Sequence, residues 1–479
     1  MMACSARNKH RLVVILMSLL LTGCMVGPDF VPPTVETPTD YRFDAGEAAV
    51  EVNLKWWELF KDPILYELIT TSLVNNRDVQ IAASRIEEAR AVLGFVGADR
   101  YPSFFIEGDA ATGNFLGGVK SDSTDQSGFI GPTLNWEIDF WGKFRRATES
   151  ARAELLASEY AHRTVQLSLI TEVASTYNRL LDFRQRLQIS RNTLKSRLKT
   201  LDIIQQRFDK GIVPELDLNQ AQIQKEIAAA AIPLFERQIA LTENALSILL
   251  GRLPGEIQSG QELKAQVIPP EIPVGLPATL LERRPDVAEA FYLLNAQTEQ
   301  IGVAEALRLP AISLNGLVGA AGSDIAGETN DGGVWRAGAG LFGPIYQFGK
   351  NLRRGEIEEA RAQQTLYFYE NTVLIAFREV EDALVQIDTF SRQVNAVNRQ
   401  VAAARNANVL SLDRYDQGVT SYLEVLETER QYFSAELEYS ELYQEHLNSY
   451  VRLYKALGGG WMTPEEMQME ASSPPQKTE

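Results

Sequence analysis

A few side chains in this 479-residue chain have types and spacings that could carry chemistry. Ser196 and Lys199 stand in Ser-x-x-Lys, the spacing of a serine nucleophile beside a lysine base. Gly338, Gly340 and Gly343 match G-x-G-x-x-G, whose bare backbone can approach a pyrophosphate. Glu424 and Glu427 are three residues apart. On a helix that spacing sets two carboxylates on one face, where crowded negative charge attracts cations and raises carboxylate pKa values. His10, His162 and His446 have no partners at metal-ligand spacing. The two cysteines are Cys4 and Cys24.

Most of these letters sit on the wrong element for the chemistry. Ser196 and Lys199 fall within residues 143–210, a run without Gly or Pro. Apolar residues recur there at spacings of three and four, as in Ile170, Val173, Tyr177 and Leu180. This predicts one long helix with coiled-coil packing rather than an active-site turn. A dinucleotide site needs a helix to open after its glycines, whereas Pro344 and Ile345 to Phe348 read as a continuing strand. The glycines then read as small residues in a sheet wall. No catalytic group, metal site or cofactor is expected, and the chain does not read as an enzyme.

The amino terminus supplies an address. Arg7, Lys9 and Arg11 precede the apolar run Leu12 to Leu21, which is short for a membrane span, and then Leu21-Thr22-Gly23-Cys24. Residues 1–23 are predicted to be a lipoprotein signal peptide, removed before Cys24, whose sulfur takes the lipid. Met25 in place of an Asp favours the outer membrane. Cys24 then remains as the single cysteine, so no disulfide can form within one mature chain. Loss of the three leader cations takes the formal charge from −17 to −20, unsuited to nucleic acid. Residues 24–53 are rich in Pro and Thr and read as a lipidated extended linker. Trp56-Trp57 opens the ordered body, and Asp62-Pro63 reads as a helix N-cap followed by Pro at the first helical position.

An internal repeat organises the rest. Arg77-Asp78-Val79 returns as Pro285-Asp286-Val287, Arg100-Tyr101-Pro102 as Arg308-Leu309-Pro310, and Trp141-Gly142-Lys143 as Phe348-Gly349-Lys350. Phe208 to Gly211 returns as Tyr415 to Gly418, and Leu250-Gly251 as Leu457-Gly458. A nearly constant offset marks a tandem duplication of units far longer than solenoid repeats. The first repeat, 54–283, is expected to hold strands at 103–113 and 128–140, long helices at 143–210 and 214–250, and an equatorial segment at 251–283. The second, 284–460, is expected to hold strands at 311–322 and 334–346 and helices at 350–417 and 421–457. A tail follows at 461–479. Loops are expected at Asn114–Ser127 and Ser323–Gly333. The second long helix should bury Phe377, Val380, Leu384 and Ile387, the equivalents of the first stripe.

The strands alternate apolar with polar residues: Ile130, Pro132, Leu134 and Trp136 against Gly131, Thr133, Asn135 and Glu137. That suits a wall between lipid and water. Four strands cannot close a membrane barrel, so several chains must share one. Helices of about 100 Å must project beyond a bilayer core of ~30 Å.

Cys24 followed by Gly27-Pro28-Asp29-Phe30, Trp56-Trp57 with Phe60, the two Arg-x-Pro pairs, the glycine turns and Gly458-Gly459-Gly460-Trp461 together resemble the TolC family of outer-membrane efflux proteins, in its lipoprotein, OprM-like branch. The resemblance implies a membrane α+β fold: a homotrimer with a twelve-stranded outer-membrane β-barrel, four strands per chain, continued by a long periplasmic α-helical barrel. It implies an equatorial girdle from 54–76, 251–283 and the C-terminal region. It also implies an exit channel for small molecules, working with a periplasmic adaptor and a proton-driven inner-membrane transporter. Residue by residue, it assigns a periplasmic gate to Tyr422 and Leu423 as an apolar plug, Glu424 and Glu427 as acidic rings, and Arg414 as a tie. It assigns adaptor docking to the turns at Gly211, Leu216 and Asp217 and at Gly418. Asp is often found elsewhere in the family where this chain has the longer Glu424 and Glu427. A duct for type I protein secretion would share this fold. A lipid-anchored coiled-coil scaffold would have no use for four alternating strands.

Overall fold

The chain is described here by a computed structural model covering residues 25–38, 41–43, 55–116, 119–258, 260–269, 283–325 and 328–459. The signal segment, Cys24 and the tail at 461–479 lie outside the described residues, as do parts of the linker and of the equatorial segment. A 3-10 turn, Trp56–Phe60, leads into α1 (Pro63–Asn75) and α2 (Arg77–Ala98). Strands β1 (Ser103–Leu116) and β2 (Val119–Ile138) precede α3 (Lys143–Asp209) and α4 (Glu215–Leu249). The same order returns as α5 (Pro285–Ala306), β3 (Ala311–Ile325), β4 (Glu328–Phe342), α6 (Lys350–Asp416) and α7 (Tyr422–Ala456). No described helix is long and apolar enough to cross a membrane.

The chain folds into two compact units, each drawing on both repeats. One holds the four strands in the antiparallel order β1-β2-β3-β4. Directly paired residues share a face. The register therefore gathers Ile106, Ile130, Leu134, Val318, Trp335 and Leu341 on one side. Glu107, Asp109, Thr133, Asn135, Asn315 and Asn330 gather on the other.

The expected loops at Asn114–Ser127 and Ser323–Gly333 are corrected: their described residues, 114–116, 119–127, 323–325 and 328–333, are strand. Thr112 pairs with Gln126, Ser323 with Asn330 and Asp324 with Thr329. Gly, Ser and Asp have weak strand propensity, but the ladder continues through much of both stretches, with a register shift between Gly113 and Phe115, and overrides it. The strands also end earlier than expected, at Ile138 and Phe342. Residues 343–348 are not strand, since Pro344 has no N–H to give the ladder.

In the same unit, Met25 to Phe30 is an extended strap fastened by Arg146 on the first turns of α3. The guanidinium donates to Glu299 Oε2 and to Asp29 Oδ1, both at 2.8 Å, and to the carbonyls of Val26 and Gly27 at 3.3 Å. Val26 N–H donates to the Trp141 carbonyl at 3.1 Å, and the Phe30 ring meets Phe291 edge-on at 5.2 Å. This part of the linker is bound rather than free.

The other unit is built around the α3 stripe. Ile170, Val173, Tyr177 and Leu180 are fully buried beneath Trp56, Trp57, Phe60 and Tyr454. Asp62 caps α1, accepting from the backbone of Ile64 at 2.9 Å, and its other oxygen accepts from Tyr177 Oη at 2.9 Å and Gln266 Nε2 at 2.6 Å. The equivalent stripe on α6 is a correction. Val373, Ala376, Val380 and Ala383 are buried there, whereas Phe377, Leu384 and Ile387 are half-buried. The duplication copied the helix, but the tryptophan-bearing turn that covers the first stripe occurs once.

These packings set three expectations. Arg146→Met strands the Glu299 carboxylate, whose side chain is 9% exposed, and should cost about 3–5 kcal/mol, read as a lower thermal midpoint. Asp29→Asn, at a carboxylate 89% exposed, should cost less than about 1 kcal/mol. His446 is buried beside Tyr450, and burial pushes its pKa below 6.5. The unfolded chain therefore binds the proton first, so stability should be lost as pH falls below 6.5, and His446→Leu should flatten that slope in unfolding measured between pH 7 and 5.

Candidate functional site at the helix turns

Both long helices end on a left-handed glycine. Gly211 has φ +68° and Gly418 has φ +73°, a conformation that side chains with a Cβ rarely adopt. Gly211 N–H donates to the Phe208 carbonyl at 2.8 Å, and Ile212 N–H to the Arg207 carbonyl at 2.9 Å. Gly418 N–H donates to Tyr415 at 3.0 Å, and Val419 N–H to Arg414 at 2.9 Å. This is the Schellman pairing, which satisfies the last carbonyls of a helix and reverses the chain. Glu215 and Asp217 then lie in the first turn of α4, and Glu424 in the first turn of α7, where negative charge suits the helix dipole. Partial burial pushes the Asp217 pKa up.

The expected gate residues part company here. Tyr422 is 2% exposed, packed with Ile204, Ala221, Val425 and Leu426 and tilted against Tyr415 at 5.4 Å. Expected as part of an apolar plug, its ring here packs against helices of its own chain. Leu423 is the opposite, 64% exposed, and Ile212, Leu216 and Val419 are exposed with it. Glu424 accepts a hydrogen bond from Thr420 Oγ1 and lies 3.6 Å from the Arg414 guanidinium. Glu427 accepts from Arg430 at 2.7 Å and Gln431 at 2.6 Å. The Arg430 hydrogen bonds hold its carboxyl below the usual range. The two glutamates thus have separate partners, one reaching back to α6 and one along α7.

One contact escaped the sequence reading. Arg207 Nη2 meets Asp416 Oδ1 at 2.8 Å, and its guanidinium lies 4.9 Å from the Tyr415 ring centre. The carboxyl-terminal turn of α3 is thereby tied to that of α6. The signal was present: extending the Phe208/Tyr415 match back by one residue pairs Arg207 with Arg414.

The letters of enzyme chemistry stay scattered. Ser196 and Lys199 are exposed on the unbroken helix α3, and Gly338 and Gly340 lie inside β4. Among the described residues, no three His, Cys, Asp or Glu side chains are gathered as a metal site.

The model of the family described as outer membrane efflux protein matches the chain twice, over residues 68–252 and 276–459, once per repeat. The solvent efflux pump outer membrane protein SrpC of Pseudomonas putida is 35% identical over 463 residues, covering 92% of this chain and 97% of SrpC. SilC of Salmonella typhimurium, described as a probable outer membrane lipoprotein, is 32% identical over 465 residues, covering 95% of this chain and 99% of SilC. The solved outer-membrane channel OprN superposes with a TM-score of 0.84 at 29% identity, covering 91% of this chain and all of the OprN chain. A twofold family match, near-complete coverage and a shared strand-and-helix order agree: the chain belongs to the outer membrane efflux protein family.

Proposed function

We propose that three copies of this chain form a gated outer-membrane duct, fed by an inner-membrane transporter through a periplasmic adaptor. The observation that carries the reading is the four-stranded sheet with one largely apolar face, an opposite face that gathers Glu107, Asp109, Asn135 and Asn315, and two edges unpaired within the chain. Three such sheets give twelve strands and a wall with no edge, lipid outside and water inside. The duct itself catalyses no reaction; a proton-driven transporter supplies the energy. Lipid on Cys24 tethers each chain to the outer membrane.

The gate lies at the helix turns. Leu423 projects from the start of α7, and by threefold symmetry becomes an apolar constriction that resists wetting. Glu424 and Glu427 add carboxylate rings that favour cations, each restrained by the arginine of its own chain. The Arg414–Glu424 pair is exposed and the Arg207–Asp416 pair partly so, so each contributes modestly and can be released by a partner. The adaptor docks on the turn surfaces at Gly211, Leu216, Asp217 and Gly418, where apolar Ile212 and Val419 are also exposed. Relatives named for solvent efflux point to small molecules, with selection made by the transporter.

Single-channel conductance in planar bilayers tests this. The parent should pass a small, cation-selective current, and a Leu423→Ala, Glu424→Ala, Glu427→Ala variant a much larger one. An unchanged variant current would move the gate elsewhere. No current from either, in trimeric preparations, would reject the duct.

A further inference from the structure

A duplicated chain that assembles with copies of itself has two kinds of seam, one between its own halves and one between copies. The first lies where α3 meets α5. Arg146 of α3 holds Glu299 of α5 at 2.8 Å, and Gln300 Nε2 donates to Ser150 Oγ at 2.8 Å. Arg146, Glu299 and Ser150 are all buried. Gly302 lets these two helices close up, since a Cβ there would come within 2.9 Å of the Arg146 side chain.

The duplication identifies the counterparts residue by residue. Helices α2 and α5 both have 22 residues, and α3 and α6 both have 67. The Ser103–Asn135 pair of the first hairpin returns as Ala311–Phe342 in the second. By the same equivalence Ser150 becomes Ile357, Gln300 becomes Val92, Glu299 becomes Ala91, Arg146 becomes Arg353 and Gly302 becomes Gly94. These counterparts lie on α2, which precedes the edge strand β1, and on α6, which follows the edge strand β4. Val92 is 40% exposed, Ile357 50% and Phe95, on the next turn of α2, 75%. Arg353 pairs with Glu356 of its own helix. A Cβ at Gly94 would meet nothing within 4 Å among the described residues.

Both members of the polar pair have thus become apolar together, and the acid of the ion pair has become alanine. The two seams face different demands. Helices of one chain are already held near each other, so hydrogen bonds of modest net worth can set their register. Separate copies must also offset the freedom lost on association, and apolar burial supplies that. Nor can the seams trade partners. Val92 in place of Gln300 would deprive Ser150 Oγ of its donor, and Ala91 in place of Glu299 would leave Arg146 without its buried carboxylate.

We propose that the Val92 and Phe95 face of α2 takes α6 of a second copy, with Val92 against Ile357, and that the exchange of polar for apolar pairs makes the two seams non-interchangeable. The occupant is a second copy because the face continues the unpaired edges of β1 and β4 and repeats, between copies, a contact already made within the chain. That copies assemble in threes rests on the function proposed above; which residues meet, and why the halves cannot substitute for one another, is the added claim.

Cysteines placed by Val92→Cys and Ile357→Cys in one chain, joined by a short bismaleimide in the purified full-length protein, should give a covalent trimer on denaturing gels, and neither single variant should. Monomers carrying an internal cross-link would overturn the proposal, as would a native trimer that gives no covalent band. A native mass of one chain would overturn it together with the three-copy reading, so the two failures are distinguishable. Transplanting the inner pair outward, as Val92→Gln with Ile357→Ser, should lower the temperature at which the trimer comes apart while leaving helix content unchanged. An unshifted dissociation temperature would show that the seams are interchangeable and overturn that part of the claim.

Discussion

Backbone N–H and C=O groups have no water to turn to in lipid, and an unpaired one costs several kcal/mol. The four strands meet this demand internally along three ladders and leave it unmet along the outer edges of β1 and β4. Neither edge is blunted by a bulge along most of its length; the register shift in the β1–β2 pair falls near its far end, between Gly113 and Phe115. An outer-membrane chain built this way depends on its copies for its most basic requirement. The apolar face, with Ile106, Leu134, Trp335 and Leu341, is suited to lipid only once those edges are joined.

The helices face a different limit. Each satisfies its own backbone along its length and becomes unsatisfied where it ends. The sequence places a left-handed glycine at the carboxyl end of each of the helices α3, α4, α6 and α7, at 211, 251, 418 and 458, with the same closing hydrogen bonds. Rigid turns of this kind allow the side chains around them to be sparse and exposed. Arg207, Arg414, Glu424 and Asp416 form weak, solvent-screened pairs on a scaffold that does not need them for folding. Buried Arg146, by contrast, holds four partners and has the opposite character.

The long helices, the repeat and the alternating strands were legible because their signals are periodic and extend over many residues. The ends of the strands were not. Val119, Lys120 and Asp125 to Ser127 are paired although their composition reads as loop, since cross-strand hydrogen bonds lie outside any local window. Tyr422 shows a related blindness. Its place beside Leu423 in sequence suggested a shared role, but adjacent helical residues face directions about 100° apart, and only one of them faces out. The unequal burial of Val173 with Tyr177 and of Val380 with Leu384 was invisible for another reason. What distinguishes the two stripes is the turn at Trp56–Phe60, which lies outside both helices.

The extended hairpins have a consequence for the cell surface. A tilted strand crosses a bilayer in about 9–11 residues, whereas β1 has 14 and β2 has 20. Much of the surplus is still paired sheet, with Gly113 opposite Asp125 and Phe115 opposite Lys120. The described parts of the hairpins thus extend as strand beyond that length, where long loops had been expected. Backbone already paired in a sheet is not free to be pulled into a protease's extended cleft, so these stretches should resist nicking better than loops of the same length.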